Sequence, residues 1–470
     1  MWYSQAVDLW YLVYRLSFAG DWDPFPRLSF TEKVPTMLRF NCLTSIFLTT
    51  ALVVACGNGS VQNVGPTQSS GMGGTDAGNV ADSGDAAVSF GSGFLHASGT
   101  EIVDGLQQPI LLRAVGLGNW LLPEGYMWKL SSSDKARDIE KAVEAAVGPN
   151  AAAEFWAAWR DTFFTEADVS VAAQMGFNAV RVAMNSRLLL PEDQDKFNET
   201  EFARLGSLVE WCERHQIYVI FDMHAAPGGQ TGHNAIDDSP TNTPELFNSS
   251  TYQDRLVRLW TEIARRFATS RTVAGYDLLN EPINPDFAEL NDKLWPLYIR
   301  IGTAIRDVDH NHALIVEGAG WANNWSTLGE PFDDNMIYSF HKYWDNTDQP
   351  SVQPFIDKRT EWNRPIWCGE MGEPRSLDWP QHAVSLLESN GIGWTYWPWK
   401  KMDTNNDPYS IDYPNNWNSF RYLVANPGAP QPDAGTPLQD VFDDYLDKIA
   451  LNKCHYNKDL VCGILAAACN

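Results

Sequence analysis

An α/β fold is predicted by this sequence, a (β/α)8 barrel forming a single catalytic domain, on three observations. Eight short apolar runs recur between residues 110 and 397. Each is continuously apolar rather than alternating, as strands of a parallel sheet covered on both faces must be. Stretches of helical period separate most of them, and βα units in series close into a barrel.

The predicted strands are ILLRAVG (110–116), NAVRVAM (178–184), IYVIFDMH (217–224), VAGYDLLNE (273–281), ALIVEG (313–318), MIYSFH (336–341), PIWCGE (365–370) and GIGWTYW (391–397). The clearest helix covers 251–267. There Leu256, Leu259, Trp260, Ile263 and Phe267 recur at helical spacing, opposite a solvated face of Asp254, Arg255, Arg258, Glu262 and Arg266. Between strands one and two, the Ala-rich, helix-forming stretch from Pro123 to Thr165 is expected to fold over the barrel mouth. After strand eight, NPGAPQPDAGTP (426–437) is a turn-rich connector to a last helix near 438–451, expected to close the barrel. A doubly wound open sheet is the alternative. The lack of GxGxxG after strand one weighs against it.

The domain is expected to span 94–452, with a Cys-containing tail at 453–470. Ahead of it, residues 37–56 read MLRFNCLTSIFLTTALVVAC, a short positive start, an apolar run and small residues before Cys56. This resembles a bacterial lipoprotein signal, and the resemblance implies cleavage before Cys56 and lipidation of its thiol. Residues 1–36 then read as a non-native extension, with Met37 as the start. Residues 57–93 are rich in Gly, Ser, Ala, Asn and Asp and read as a flexible linker. The expectation is an exported protein, at the cell envelope or outside the cell.

With 34 basic against 59 acidic residues, the net charge of −25 disfavours binding to nucleic acid or to anionic membranes through charge. The 20 Trp, 16 Tyr and 22 Phe suit either a well-filled core or sugar-stacking platforms. Cys212 and Cys368 lie in apolar contexts and read as buried thiols. Two of Cys454, Cys462 and Cys469 can pair in an oxidising compartment. No CxxC pair or His/Cys cluster suggests a metal site, and no cofactor is expected. A monomer is expected.

Barrel enzymes place their chemistry at the C-terminal ends of strands. Here strand two contains Arg181, the ends carry Asp222 and His224 (three), Asn280 and Glu281 (four), Glu317 (five), His341 with Tyr343 beyond (six) and Glu370 (seven), and strand eight contains Trp394 and Trp397. Carboxylates at buried strand ends are costly unless paired or used. Two of them, Glu281 and Glu370, are what a retaining glycosidase requires. Glu373 lies beyond the strand and is set aside as nucleophile, and Asp222 is expected to make structural hydrogen bonds.

The order of pieces RAVGLGNWL (113–121), GFNAVRV (176–182), FDMHAAPGGQ (221–230), LLNEP (278–282), HKYW (341–344), IWCGEMG (366–372) and GWTYWPWK (393–400) resembles glycoside hydrolase family 5, a cellulase-containing family of retaining barrel glycosidases. The resemblance covers roughly 100–405. It implies Glu281 as acid then base, Glu370 as nucleophile, Arg181 and Tyr343 as its stabilisers, and Asn280 on the sugar 2-hydroxyl. It further implies that His224 and His341 position sugar and carboxylates over a Trp397 floor. Asn119, Trp120, Tyr126, Trp128, His233, Trp321, Trp325 and Trp344 are candidate subsite residues for a β-linked polysaccharide or oligosaccharide. β-1,4-Glucan, β-1,3-glucan and β-mannan all remain open. A barrel that binds carbohydrate without cleaving it, and a metal-dependent hydrolase, are the competing readings. The latter would need ligands such as His-x-His after strand one, where Gly118-Asn119-Trp120 stands.

Overall fold

The computed structural model describes residues 91–470, apart from 132–133, 234–235, 375, 434, 466–468 and 470. The expected extension, signal and most of the linker, including Cys56, lie outside the described residues. All eight predicted strands form, in order: β1 (Arg113–Gly116), β2 (Ala179–Asn185), β3 (Tyr218–Ala225), β4 (Val273–Asp277), β5 (Ala313–Glu317), β6 (Met336–Lys342), β7 (Ile366–Gly372) and β8 (Gly393–Trp397). Each pairs with the next in parallel, and β8 returns to β1 through Trp394 opposite Arg113, closing the barrel. The continuous apolar runs follow from this closure. Every residue of β2, β3, β6 and β7 is buried, between the barrel interior and the surrounding helices.

The helices are α1 (Ala136–Val147), α2 (Pro149–Thr162), α3 (Glu166–Met175), α4 (Glu199–Arg214), α5 (Ser250–Phe267), α6 (Leu294–Arg306), α7 (Gln349–Trp362), α8 (Asp378–Ser389), α9 (Trp417–Ala425) and α10 (Leu438–Lys448). Helix α5 matches the periodic stretch read from sequence. Its N-terminus is capped by Ser249, whose hydroxyl accepts the Tyr252 N–H. Below the barrel, a hairpin of His96–Ser98 and Glu101–Val103 brings Leu95 and Ile102 into one apolar cluster with Leu112, Ala274, Ile315 and Trp367. It covers the end of the barrel opposite the chemistry.

Two expectations are corrected. Helix α10 does not close the barrel. It packs on the β1–β2 insertion, with Phe442 5.1 Å from Phe155 and Tyr445 5.1 Å from Trp128 between ring centroids. The segment after 452, expected as a Cys-containing tail, packs onto the rest of the domain. His455–Tyr456 pairs antiparallel with Tyr409–Ile411, and Leu460, Val461 and Ile464 of a short helix (Lys458–Ile464) are buried. Apolar residues every third or fourth position made this helix amphipathic, so it could not remain solvated. Cys454, Cys462 and Cys469 are free thiols, as are the buried Cys212 and Cys368.

Candidate active site

The site is built at the C-terminal rim of the barrel around one guanidinium. Arg181, on β2, is fully buried. Its Nη1 donates to Glu370 Oε1 (2.5 Å) and lies 3.2 Å from Asp222 Oδ2. Nη2 donates to Asn280 Oδ1 (2.9 Å) and Glu317 Oε1 (3.2 Å), and Nε donates to Asp277 Oδ2 (2.9 Å). Four carboxyls from β3, β4, β5 and β7 thus surround one cation. That crowding separates them. Burial, with Glu317 alongside, pushes Asp277 well above the usual carboxylate range, and burial raises Asp222. For Glu317 and Glu370 burial is outweighed by His341 and Arg181, so both are held below their ordinary value of 4.5. Arg181→Met is expected to destabilise the fold by about 3–5 kcal/mol, because it strands buried negative charge. Chemical denaturation read against wild type checks this.

Glu370 lies near the C-terminal end of β7 beside His341, brought there by the register of β6 and β7, which shifts between Phe340 and His341. Its Oε2 accepts the Tyr343 hydroxyl at 2.8 Å. Both oxygens therefore hold hydrogen-bond donors, and the carboxylate stays ionised. Glu281 is treated differently. It stands beyond β4 at φ 44°, in the left-handed region, and its Oε1 meets His341 Nδ1 at 2.8 Å. Burial raises its pKa, Glu370 and Glu317 add to that, and His341 only partly opposes them. Oxygens of Glu281 and Glu370 lie within 4.8 Å of each other. Retaining glycosidases set their carboxyl pair about 5 Å apart, whereas inverting enzymes leave room for a water.

The supporting side chains fall where the strand ends put them. Asn280 is held by Arg181 on its oxygen, and its Nδ2 is 3.3 Å from His224 Nε2. His224 Nδ1 is 2.7 Å from Asp222 Oδ2, the structural bond expected of Asp222. Trp397 lies against β1, where a methyl on Gly116 or Gly118 would stand 2.3 or 2.7 Å from the indole. His224 stacks on this ring at 4.9 Å and 6°, so part of the Trp397 face is taken by protein. The Trp397 Nε1 donates to the Tyr126 hydroxyl (3.1 Å), and Trp344 Nε1 donates to the Glu373 carbonyl (2.7 Å). Glu373 itself pairs with Lys401. Trp321 and His233 lie on the loops after β5 and β3.

Other expectations fail. Trp120 is buried against Phe164, with its Nε1 donating to the Arg160 carbonyl. Asn119 is fully buried at φ 69°, and its Oδ1 accepts from Trp128 Nε1 at 2.7 Å. Trp128 sits among Trp156, Trp159, Trp417 and Tyr445, and Trp325 is buried between Tyr338, Phe355 and Trp362. None of these four side chains is presented to a ligand. The aromatic core of the insertion takes up Trp120 and Trp128, and Trp325 packs into the helical layer beside β6.

Three contributors were not singled out from the sequence as site residues. Asp277 was hidden within an apolar strand. Gln230 joins the tips of β3 and β4, with its Nε2 donating to the His224 and Asn280 carbonyls. Glu124, on the insertion, is buried, and its Oε1 lacks a hydrogen-bond partner. Burial, then the charges of Glu370, Glu373 and Glu281, push it well above the ordinary range. The insertion is locked to the loop after β3, since Asp238 accepts from the Arg137 N–H, Asn185 Nδ2 and Arg187 Nε. Two groups, Asp222–His224–Glu370 and Glu281–His341–Glu370, have the proximity of metal ligands. Their charge is met by Arg181 and His341 from the protein itself.

A barrel with acid and base roles separated by environment at its rim defines a glycosidase-type site. The chain matches the family model Cellulase (glycosyl hydrolase family 5) over residues 141–403 and belongs to that family. It is 29 % identical over 59 % of its length to a "Beta-xylosidase" of Phanerodontia chrysosporium, of which the match spans 61 %. It is 26 % identical over 52 % of its length to "Endoglucanase C" of Acetivibrio thermocellus, of which 86 % is covered. Among solved structures, an endogalactoceramidase aligns at TM-score 0.51 and 20 % identity, covering 75 % of this chain and 84 % of that one. This likeness shows the barrel fold.

Proposed function

We propose that the protein is a retaining glycoside hydrolase that cleaves β-glycosidic bonds of a β-glucan by double displacement. The observation that carries the reading is that oxygens of Glu281 and Glu370 lie within 4.8 Å of each other, with burial raising the pKa of Glu281 and with Arg181 and Tyr343 donating to Glu370, whose pKa is lowered. Glu370 attacks the anomeric carbon while Glu281 protonates the leaving oxygen. Glu281 then removes a proton from the water that releases the sugar. Asn280, anchored by Arg181, is placed to read the 2-hydroxyl. Family membership and the similarity to an endoglucanase support β-linked glucans as substrates. A product profile on β-1,4-glucan, β-1,3-glucan and β-mannan tests this. Release of reducing sugar from neither glucan, with activity on mannan or on none of the three, would overturn it.

Glu124 supports a polar glycone. A buried, protonated carboxyl with an unpartnered oxygen can both donate to and accept from a sugar hydroxyl. Glu124→Ala is expected to lower kcat/KM by about ten- to a hundredfold, the worth of one buried hydrogen bond to substrate, with little change in Tm. Steady-state kinetics and thermal melts check both halves.

We further propose that the protein is exported as a monomer and lipidated at Cys56, a reading supported by the sequence of residues 37–56. Metabolic labelling with a fatty acid should mark the wild type and not Cys56→Ala. Light scattering on the soluble domain should give the monomer mass.

A further inference from the structure

Glu317 contacts both the main chain of Glu281 and the His341 ring that meets the Glu281 carboxyl. It is fully buried at the end of β5. Its Oε2 accepts the main-chain N–H of Glu281 at 2.7 Å. Its Oε1 lies 3.1 Å from His341 Nε2 and 3.2 Å from Arg181 Nη2. The other ring nitrogen of His341 meets Glu281 Oε1 at 2.8 Å, and its main-chain N–H donates to Asn323 Oδ1. One imidazole therefore bridges two carboxyls, with Glu370 Oε2 3.7 Å from Nδ1 and Arg181 behind.

A neutral ring serves both ends only by engaging the proton of Glu281 itself. With its proton on Nε2, toward Glu317, the Nδ1 lone pair would face Glu281 and draw the acid's own proton into that bond, away from the leaving oxygen. With its proton on Nδ1, the Nε2 lone pair would face an ionised Glu317 across 3.1 Å in a buried site. A ring carrying both protons donates at both ends, to Glu317 from Nε2 and to Glu281 from Nδ1, and leaves the acid's own proton free. Then Nδ1–H occupies Glu281 Oε1, and the transferable proton must sit on Oε2. We propose that Glu317 is the positioning residue of this site. It keeps His341 doubly protonated and pins the Glu281 main chain, so that the acid's proton is confined to the oxygen facing the substrate.

The electrostatics agree. Glu317 is held down to about 2, with burial overcome by His341, Arg181 and the Glu281 N–H. His341 is raised well above the ordinary histidine value, burial being outweighed by Glu317, Glu370 and Glu281. The backbone role is equally direct. A non-glycine residue at φ 44° is strained and persists only where its surroundings enforce it. The Glu317 carboxylate holds the Glu281 N–H, and the Thr231 hydroxyl donates to the Glu281 carbonyl at 2.7 Å.

The inference rests on Glu281 as the proton donor, but its test is read without substrate, so the two can fail separately. In ring-15N-labelled protein, His341 should keep imidazolium shifts across roughly pH 5–8, the range in which an unperturbed histidine titrates. In Glu317→Gln it should titrate to neutral within that range. In Glu281→Gln, which removes the other carboxylate from a less constrained position, it should stay charged. The kinetic counterpart is a kcat/KM for Glu317→Gln that falls about tenfold or more further on glycosides with poor leaving groups than on activated aryl glycosides. A His341 that is neutral in the wild type, unchanged in Glu317→Gln, or neutralised by Glu281→Gln would overturn the assignment. Should Glu317→Gln not fold, the wild type and Glu281→Gln still decide it.

Discussion

Glu281→Ala should lower turnover of an oligosaccharide by about a hundredfold to ten-thousandfold, the range that general acid catalysis contributes. It should leave the first step on a dinitrophenyl glycoside within about tenfold of wild type. An alkoxide leaving group must be protonated as the bond breaks, whereas a dinitrophenolate is stable without help. The variant should also lose the alkaline limb of its pH–kcat/KM profile. The sign follows from the site. Activity needs Glu281 protonated, and burial with Glu370 and Glu317 raises its pKa above 4.5, so activity falls as pH rises through that raised value. Activity also needs Glu370 ionised, and its pKa lies below 4.5, so the acid limb comes from its protonation at lower pH. Equal losses on both substrates would remove Glu281 from the acid role.

The larger loss is expected for Glu370→Ala, about ten-thousandfold or more on every substrate, because no other group in the site can form the covalent intermediate. Stability should hardly suffer. Arg181 keeps Asp222, Asp277 and Glu317 as partners, so the cation stays compensated and a crowded negative charge is removed. A melt within a few degrees of wild type would show that chemistry, not folding, was lost. The cavity left by the side chain should accept a small anion such as azide. Attack from that side on an activated β-glycoside would yield the α-glycosyl azide, and recovery of this product checks that Glu370 faces the anomeric carbon.

The barrel was legible because parallel strands buried on both faces leave an unbroken apolar signature, and all eight formed where that signature lies. Glu281, Glu370, Asn280, His224, His341 and Tyr343, which the structure brings together, stood out as candidates because polar residues at or just beyond the ends of such strands have few structural uses. What sequence could not separate were tryptophans of the core from tryptophans of the cleft. Trp120 and Trp128 follow β1 as a subsite aromatic would, but Phe164 and the end of α2 cover Trp120, and α2, α9 and α10 take up Trp128. Nor could it weigh Glu317 or Asp277. Their importance comes from contacts with β2 and β6, far away in the chain, which no local pattern records. Glu124 lay in an insertion with no periodic reference to place it. The tail near Leu460 was misjudged because its cysteines drew the reading away from its amphipathic spacing.

Incubation with a 2-fluoro glycoside bearing a good leaving group, followed by peptide mass mapping, puts the central claim to the most direct test. The electron-withdrawing fluorine slows release of the glycosyl-enzyme more than its formation. A single adduct on the peptide bearing Glu370, localised to that residue and not to Glu373, is the predicted result. An adduct on Glu281 or Glu373, or turnover without any adduct and with inverted product, would contradict it.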